Sequence, residues 1–494
     1  MKELSKKHNV AKNTFFYTTC RYFAQAVNFV TATLISRFLG PFNVGIWNLL
    51  KVVRDYAVFT DLGTSLTVSY KFPFLSGKGE ITESEKLKNT VFTFTILSTV
   101  LSSLFIGLYV LIFRSALRQG LLIGLIVVSV LLFFQRLYTY YIVLLRANKN
   151  FGILSRSVIF DALVDLCLVL IFVTKLKLYG LYIIVIVLPI LNTLYISYYV
   201  KFKLRLTFRM PNIISYIKFG LPLFLVSILK NILNSIDKIM ISAMLGIEQL
   251  GFYSIALMTK NYTEDISKNF GHILNPYLFE DYGKHDSIPK ATKQVMTITL
   301  VVAYFMAFFL SLVFICAPAF IKIALPKFVP GIGALKIFLL AIFFTSVSEY
   351  LTSYFVVLNK QARLFPIISA AIFLNIILNY ISIKMKFGIN GVSASSAISA
   401  SLSFFIMAIY SLKHANNSLP IAKAMAKIIF PLFYSSLIIL LIEYKIELIN
   451  PVLDSLVKGL VFILCFLPIL ILLNKETKIM QIIFELLYNR RALK

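Results

Sequence analysis

The chain has 494 residues, of which 59% are hydrophobic and 14% charged, with a mean hydropathy of +0.85. Soluble domains carry about 25% charged residues, so this composition excludes an ordinary soluble protein; the continuous apolar runs of about 20 residues suit spanning helices rather than the short alternating strands of a membrane barrel. The net charge is +28, but Lys and Arg sit mostly in short loops and form no basic strip interleaved with aromatics, which argues against a nucleic-acid partner and fits a positive-inside bias.

In chain order, the first apolar run starts near Thr14 and is followed by no small-residue cleavage site. It reads as an uncleaved helix. The pattern predicts about 14 spanning helices, each near the roughly 20 residues a crossing requires. They centre near Gln25, Phe59, Leu101, Leu132, Leu163, Leu188, Leu229, Ile266, Val302, Thr345, Leu374, Ile398, Leu437 and Phe462. Basic residues concentrate in the N-terminal segment (Lys2, Lys6, Lys7, Lys12) and in the loop from Lys201 to Lys218. That asymmetry predicts cytoplasmic N and C termini. Late in the chain, Asn375 and Asn379 lie four apart on one helix, and Gly388–Ser395 opens a small-residue helix suited to close packing in lipid.

One stretch occurs twice. A shift of 206 positions, Gly40 onto Gly246, superposes Ile35, Ser36, Leu39, Gly40 and Gly45 on Ile241, Ser242, Leu245, Gly246 and Gly251. The same shift puts Asn28 on Asn234, Trp47 on Tyr253, Arg54 on Lys260 and Tyr56 on Tyr262. This predicts a helix–tight turn–helix unit opening each half of a duplicated protein, with Gly40 and Gly246 ending their helices in a left-handed conformation. An even number of crossings between the copies makes the halves parallel repeats. The expected division is 1–212 for the first lobe (helices 1–6), 213–415 for the second (helices 7–12), and 416–494 for two further helices and a tail.

Charge inside an apolar helix marks function or pairing. The second helix carries Lys51, Arg54, Asp55, Asp61 and Ser65 within an arc of roughly 120° at 100° per residue. The eighth carries Lys260, Glu264 and Lys268 in a similar way. These residues either line a polar cavity or pair internally, Lys51 with Asp55 and Lys260 with Glu264 at four-residue spacing. Arg21 on the first helix snorkels or lines the same cavity. Lys230, Asp237 and Lys238 fall on the seventh helix. Asp161 and Asp165 share a face of the fifth and serve either ion coupling or a partnership with Arg136 of the fourth.

No catalytic set emerges. No phosphate-binding GxxxxGK[ST] occurs, and the four histidines (His8, His272, His285, His414) are scattered. The cysteines, Cys20, Cys167, Cys316 and Cys465, lack ligand spacing and read as buried small hydrophobes without a metal. The external loops are short, which argues against an enzyme.

The paired turns, the pattern from Gly220-Leu221-Pro222 through Asp237 to Leu245-Gly246, the Asn375–Asn379 pair and the Gly388–Gly391 segment together resemble the polysaccharide transporter family. These are bacterial O-antigen and capsule repeat-unit flippases within the multidrug/oligosaccharidyl-lipid/polysaccharide flippase superfamily. The resemblance implies an all-α polytopic fold with two pseudo-twofold-related six-helix lobes plus two C-terminal helices, in the bacterial inner (cytoplasmic) membrane. It implies alternating access without ATP or another cofactor, with H+ or Na+ as a possible coupling ion. The implied cargo is an undecaprenyl-pyrophosphate-linked oligosaccharide whose tail stays in membrane lipid. A polysaccharide polymerase and a chain-length regulator are the implied pathway partners. In that frame Arg21, Asn28, Lys51, Arg54, Lys230, Asn234, Lys260 and Lys268 are the candidate substrate-binding residues, with aromatic walls from Trp47, Tyr56, Tyr253 and Tyr262. Asp55, Asp61, Asp161, Asp165, Asp237 and Glu264 are candidates for coupling or gating. A lipid II flippase and an ion-coupled multidrug extruder of the same superfamily are the alternatives.

Overall fold

The computed structural model describes residues 2–148, 150–207, 210–285, 288–358, 360–413 and 421–477, with side chains from 16 onward except 223, 268–285, 291, 470 and 472–477. The described residues are mostly helical, joined by turns and by one longer irregular stretch over 200–207. Packing groups the chain into Met1–Gly251 and Phe252–Lys494.

In the first unit, α1 (Lys2–Ala57) is two helices merged across a kink at Gly40, whose φ of 72° and ψ of 171° are non-helical. Pro41 follows, where its missing N–H costs nothing at a helix start. The second helix then passes through a 3-10 turn (Val58–Asp61) and two positive-φ residues, Leu62 and Gly63, into α2 (Thr64–Gly77). Next come α3 (Ile81–Ile112), α4 (Gln119–Ala147) and α5 (Phe151–Leu168). A π-helical turn (Val169–Val173) leads into the single turn α6 (Thr174–Leu176), followed by α7 (Leu178–Tyr199). Then α8 (Met210–Met244) packs on α1, α2 and α3, so it belongs to the first unit by contact although the sequence repeat starts with it.

The second copy of the turn follows α8. Gly246 has φ 100°, and α9 (Ile247–His285) starts directly after it. Both repeated glycines therefore take a positive φ that favours glycine, Gly40 with an extended ψ of 171° in place of the expected left-handed helical one. The two turns also touch each other reciprocally. A Cβ on Gly45 would lie 2.0 Å from the Ile247 carbonyl oxygen, and a Cβ on Gly251 would lie 1.9 Å from that of Pro41. The shift of 206 carries Pro41 to Ile247 and Gly45 to Gly251, so the two contacts are one contact seen twice, as a local two-fold axis requires.

The second unit holds α10 (Ile288–Ala324), a 3-10 turn (Pro326–Gly331), α11 (Ile332–Val357), a short 3-10 turn (Gln361–Arg363), α12 (Leu364–Lys384) and α13 (Gly388–Lys413). Its core is α11 packed on α10 and α13, with Phe343, Tyr354, Phe355 and Phe404 fully buried. Small residues let α13 approach closely: Ser393, Ser395 and Ser399 are buried against α11 and α12. Asn375 donates to Ser399 Oγ at 3.2 Å, and Asn379 donates to Asn375 Oδ1 at 2.9 Å. The last two helices, α14 (Ile421–Lys445) and α15 (Pro451–Thr477), pack on α10, where Phe308 meets Phe462 and Phe466.

Among the described residues, 11 helices are long and apolar enough to cross a membrane, or up to 12 when the 53° bent pair Met210–Pro222 and Phe224–Met244 counts as one span. The expected 14 is not reached on this criterion for two reasons. Phe16–Asp61 passes as one stretch despite its break at Gly40. The charges on α9 keep it outside the apolar class. The cysteine expectation is also corrected: only Cys20 is buried, while Cys167, Cys316 and Cys465 are exposed. In lipid an apolar side chain has no need of a protein neighbour, and large residues such as Leu111 and Ile112 are exposed as well.

Candidate functional site

In the first unit the charges of the second helix meet those of α5 and α8. Arg54 pairs with its neighbour Asp55, with Nε at 3.0 Å and Nη2 at 2.8 Å from Oδ1. The Lys51–Asp55 pair, one of the two alternatives for these charges, is not formed. The adjacent guanidinium reaches the carboxylate with two donors, a stronger arrangement than one ammonium offers. Lys51 instead lies 5.7 Å from the centre of the Trp47 ring. It is within electrostatic range of Arg54, Lys238, Asp55 and Asp165. Three cations from the second helix and α8 thus share a region with carboxylates of the second helix and α5.

On α5 and α7, Asn192 Nδ2 donates to Asp161 Oδ1. Asn192 is 2% exposed, and its Oδ1 is buried without a hydrogen-bond partner. Arg136 does not serve Asp161 or Asp165. Its guanidinium bonds Ala57, Thr60 and Ser98, on the side of α4 that faces the second helix and α3. Tyr56 shares a hydrogen bond of 2.8 Å with Ser235 of α8. Asp61 is buried, and its Oδ1 accepts the Gly63 N–H at 2.9 Å. Of the remaining candidates on α1 and α8, Asp237 is buried, Arg21, Asn28 and Lys230 are half-buried, and Asn234 is exposed.

In the second unit Lys260 and Glu264 form the internal pair that is the alternative to cavity lining, 3.6 Å apart and one helical turn from each other. The Lys260 ammonium also lies 5.9 Å from the Phe338 ring centre. Tyr253 is fully buried edge-on against Phe338, so it is core and not a cavity wall. Trp47 is buried too, leaving its ring to Lys51. Lys268 and the four histidines lie outside the described side chains. Among the described residues no group of three or more His, Cys, Asp or Glu could hold a metal ion.

Two residues that matter here carry a signal that was weak in the sequence. Asn192 is a lone amide in an apolar run beside Pro189, and Arg136 is a lone cation in another. Their partners lie on other helices, at distances along the chain that no spacing rule connects.

A family described as polysaccharide biosynthesis protein matches residues 10–265, just over half of the chain. No curated protein sequence matches. Among solved structures, the lipid II flippase MurJ in an inward closed conformation superposes with a TM-score of 0.73 at 15% identity, covering 94% of this chain and 99% of that one. An inward-facing multidrug resistance MATE family transporter of the MOP superfamily gives 0.62 at 14% identity, covering 82% and 99%. A mutant of the Vibrio cholerae MATE transporter VcmN gives 0.59 at 13%, covering 84% and 98%. At these identities the likeness establishes the fold.

Proposed function

The chain belongs to the polysaccharide biosynthesis protein family, and from that premise we propose that it is a flippase for undecaprenyl-pyrophosphate-linked oligosaccharide repeat units. It moves them from the inner to the outer leaflet of the cytoplasmic membrane by alternating access, with both termini cytoplasmic. Surface polysaccharide synthesis, O-antigen or capsule, uses the product, and the polymerase and chain-length regulator are its partners in the pathway.

The observation that carries this reading is the gathering of Lys51, Arg54 and Lys238 in the first unit. A pyrophosphate is a compact multiple anion. Desolvating it needs cationic donors, and Arg and Lys supply charge-assisted hydrogen bonds. Arg54 keeps Asp55 as a resting partner and exchanges it for phosphate oxygen. A cation extruder needs an excess of carboxylates at its site, so the multidrug alternative fits this cluster poorly. The lipid II reading has support from the MurJ superposition across 94% of the chain, and its cargo has the same lipid pyrophosphate.

Coupling to H+ or Na+ is assigned to Asp161 and Asp165 with Asn192, where an unpartnered amide oxygen lies beside a carboxylate. Asp237 and Glu264 are second choices, on burial and pairing respectively.

Purified protein in liposomes carrying fluorescent lipid-linked oligosaccharide tests the function. Translocation that depends on the protein is the expected result; none with oligosaccharide-lipid but full activity with lipid II transfers the assignment to the second reading. Rates that stay unchanged after pH and sodium gradients are both collapsed would remove the coupling assignment.

A further inference from the structure

The break in the second helix has machinery of its own. Leu62 and Gly63 take φ values of 49° and 80°. For leucine this is a strained backbone, of the kind held in place by its surroundings at moving or binding parts. Arg136 of α4 is 7% exposed. Its Nη2 donates to the Ala57 carbonyl at 2.6 Å and to Thr60 Oγ1 at 2.9 Å, and its Nη1 donates to Ser98 Oγ at 3.2 Å. The guanidinium therefore stands at the carboxyl end of the half-helix that stops at Ala57, where the helix-end carbonyls favour a cation; the Ala57 carbonyl accepts from Thr60 Oγ1 as well, at 2.8 Å.

Asp61 stands on the other side of the break. It is 8% exposed and accepts the Gly63 N–H at the start of α2, where a carboxylate is favoured. Each end of the break thus has its own counter-charge. The two charges form no ion pair with each other, although both line one cavity of about 70 Å³, together with Ser65, Thr95, Gln135 and Tyr140. Its lining also includes Val58 and Leu132, but a space of this size with Asp61, Gln135 and Arg136 facing it has room and partners for water. Arg136 Nε and Gln135 Oε1 are buried beside it with no hydrogen-bond partner. A guanidinium with a spare donor, lining the same cavity as a buried carboxylate, has a second seat available.

We propose that residues Val58–Gly63 form a hinge with a two-position latch: Arg136 holds the Ala57 carbonyl in the state seen here and transfers to the Asp61 carboxylate when the second helix bends. Two buried charges held apart make a bistable element, because each position satisfies the arginine and intermediate positions leave it unpaired. The hinge lies immediately after Arg54 and Asp55, so its movement re-aims the cationic cluster. The inference rests on the flippase reading only for its consequence in transport; the latch itself is measured without substrate.

Amide hydrogen exchange of the full chain in lipid nanodiscs tests it, read over peptides spanning residues 57–63. Arg136→Gln removes the latch and raises exchange there by at least roughly tenfold, the weight of one charge-assisted hydrogen bond, with α13 unchanged. Asp61→Asn keeps a cap on the Gly63 N–H but removes the second seat, so the same peptides exchange more slowly than in the unsubstituted protein. If Arg136→Gln does not accumulate, Arg136→Lys replaces it, since it keeps the charge without the fork; the rise is then smaller but of the same sign. A static structural pair moves both variants in one direction. Faster exchange in both, or no change in either, overturns the latch. Both variants also slow translocation, and a lack of cargo transport by the unsubstituted protein would remove the flippase reading while leaving the exchange result to decide the latch.

Discussion

The two copies of the turn are nearly the same, and the helices that leave them are not. After Gly40 the second helix breaks at Val58–Gly63; after Gly246, α9 runs unbroken from Ile247 to His285. The shift of 206 places Asp61 on Ser267 and Gly63 on Asn269. In the first unit Arg136 donates to the Ala57 carbonyl beside the break; in the second, at the position matching Asp61, the Ser267 carbonyl inside the continuous helix accepts from the Tyr350 hydroxyl, and Ser267 Oγ donates to the Ser346 carbonyl at 3.3 Å. No arginine stands on α11. The backbone is alike where geometry leaves no choice, and one half has a break with a charge at each end while the other has a continuous helix. A two-fold repeat built this way has one jointed arm and one stiff one.

The strongest way to break the comparison is at the turns themselves. Gly45→Ala and Gly251→Ala each drive a methyl into a backbone carbonyl, at 2.0 and 1.9 Å. Neither carbonyl moves without its helix, so each variant should lose about 3 kcal/mol, the upper end for overpacking. Equal losses, read from thermal melts in detergent, are what the local two-fold predicts; a large loss in one and none in the other breaks it. Gly246→Ala is the control. It meets nothing within 4 Å, so only left-handed strain of about 1–2 kcal/mol remains.

A smaller effect separates the two arms. Gly63→Ala combines positive φ with a Cβ 2.7 Å from Phe224 Cβ, and should cost about 2 kcal/mol. The converse change, Asn269→Gly on α9, should cost about 0.5 kcal/mol or less. It should not joint that helix, because the Tyr350 hydroxyl already holds the nearby Ser267 carbonyl in the continuous helix. A local rise in amide exchange around residue 269 as large as that expected for Arg136→Gln would mean that glycine alone makes the joint.

Legibility in the sequence divides along the same line. The positive-φ glycines at 40 and 246 were readable because a repeated Gly at a helix end points to a backbone that other residues avoid. The Lys260–Glu264 pair was readable because four residues make one turn. Lys51–Asp55 had the same spacing and failed, since Arg54 beside Asp55 and Trp47 beside Lys51 offered better partners in three dimensions. The break at Val58–Gly63 was hidden for a similar reason. Leu62 gives no turn signal, and what makes the break affordable, Arg136, is a residue of another helix. Asn375 and Asn379 were visible as a spaced pair, and their bonding to each other and to Ser399 follows from it. Asn192 had no partner in sequence to point at Asp161.

The smallest expected effect on folding and the sharpest on function belong to Arg54 and Lys260, which the repeat makes equivalent. A basic residue inside a spanning helix costs about 2.5–3.5 kcal/mol on insertion scales. Each here recovers part of that through a carboxylate, Asp55 for Arg54 and Glu264 for Lys260. Replacing either with Gln removes a cation and leaves a carboxylate that is only part-buried, Asp55 at 34% and Glu264 at 21% exposed, so protein abundance should change little. If the cations hold the pyrophosphate, translocation should fall sharply in each single variant and further in the double one. Arg54→Lys should lose less than Arg54→Gln, because charge survives while the two-donor fork does not. A purely structural pairing predicts the opposite pattern, with abundance and transport falling together. Measuring membrane abundance by immunoblot beside surface polysaccharide separates the two, and normal amounts of both in the double Gln variant would sink the binding role of this pair.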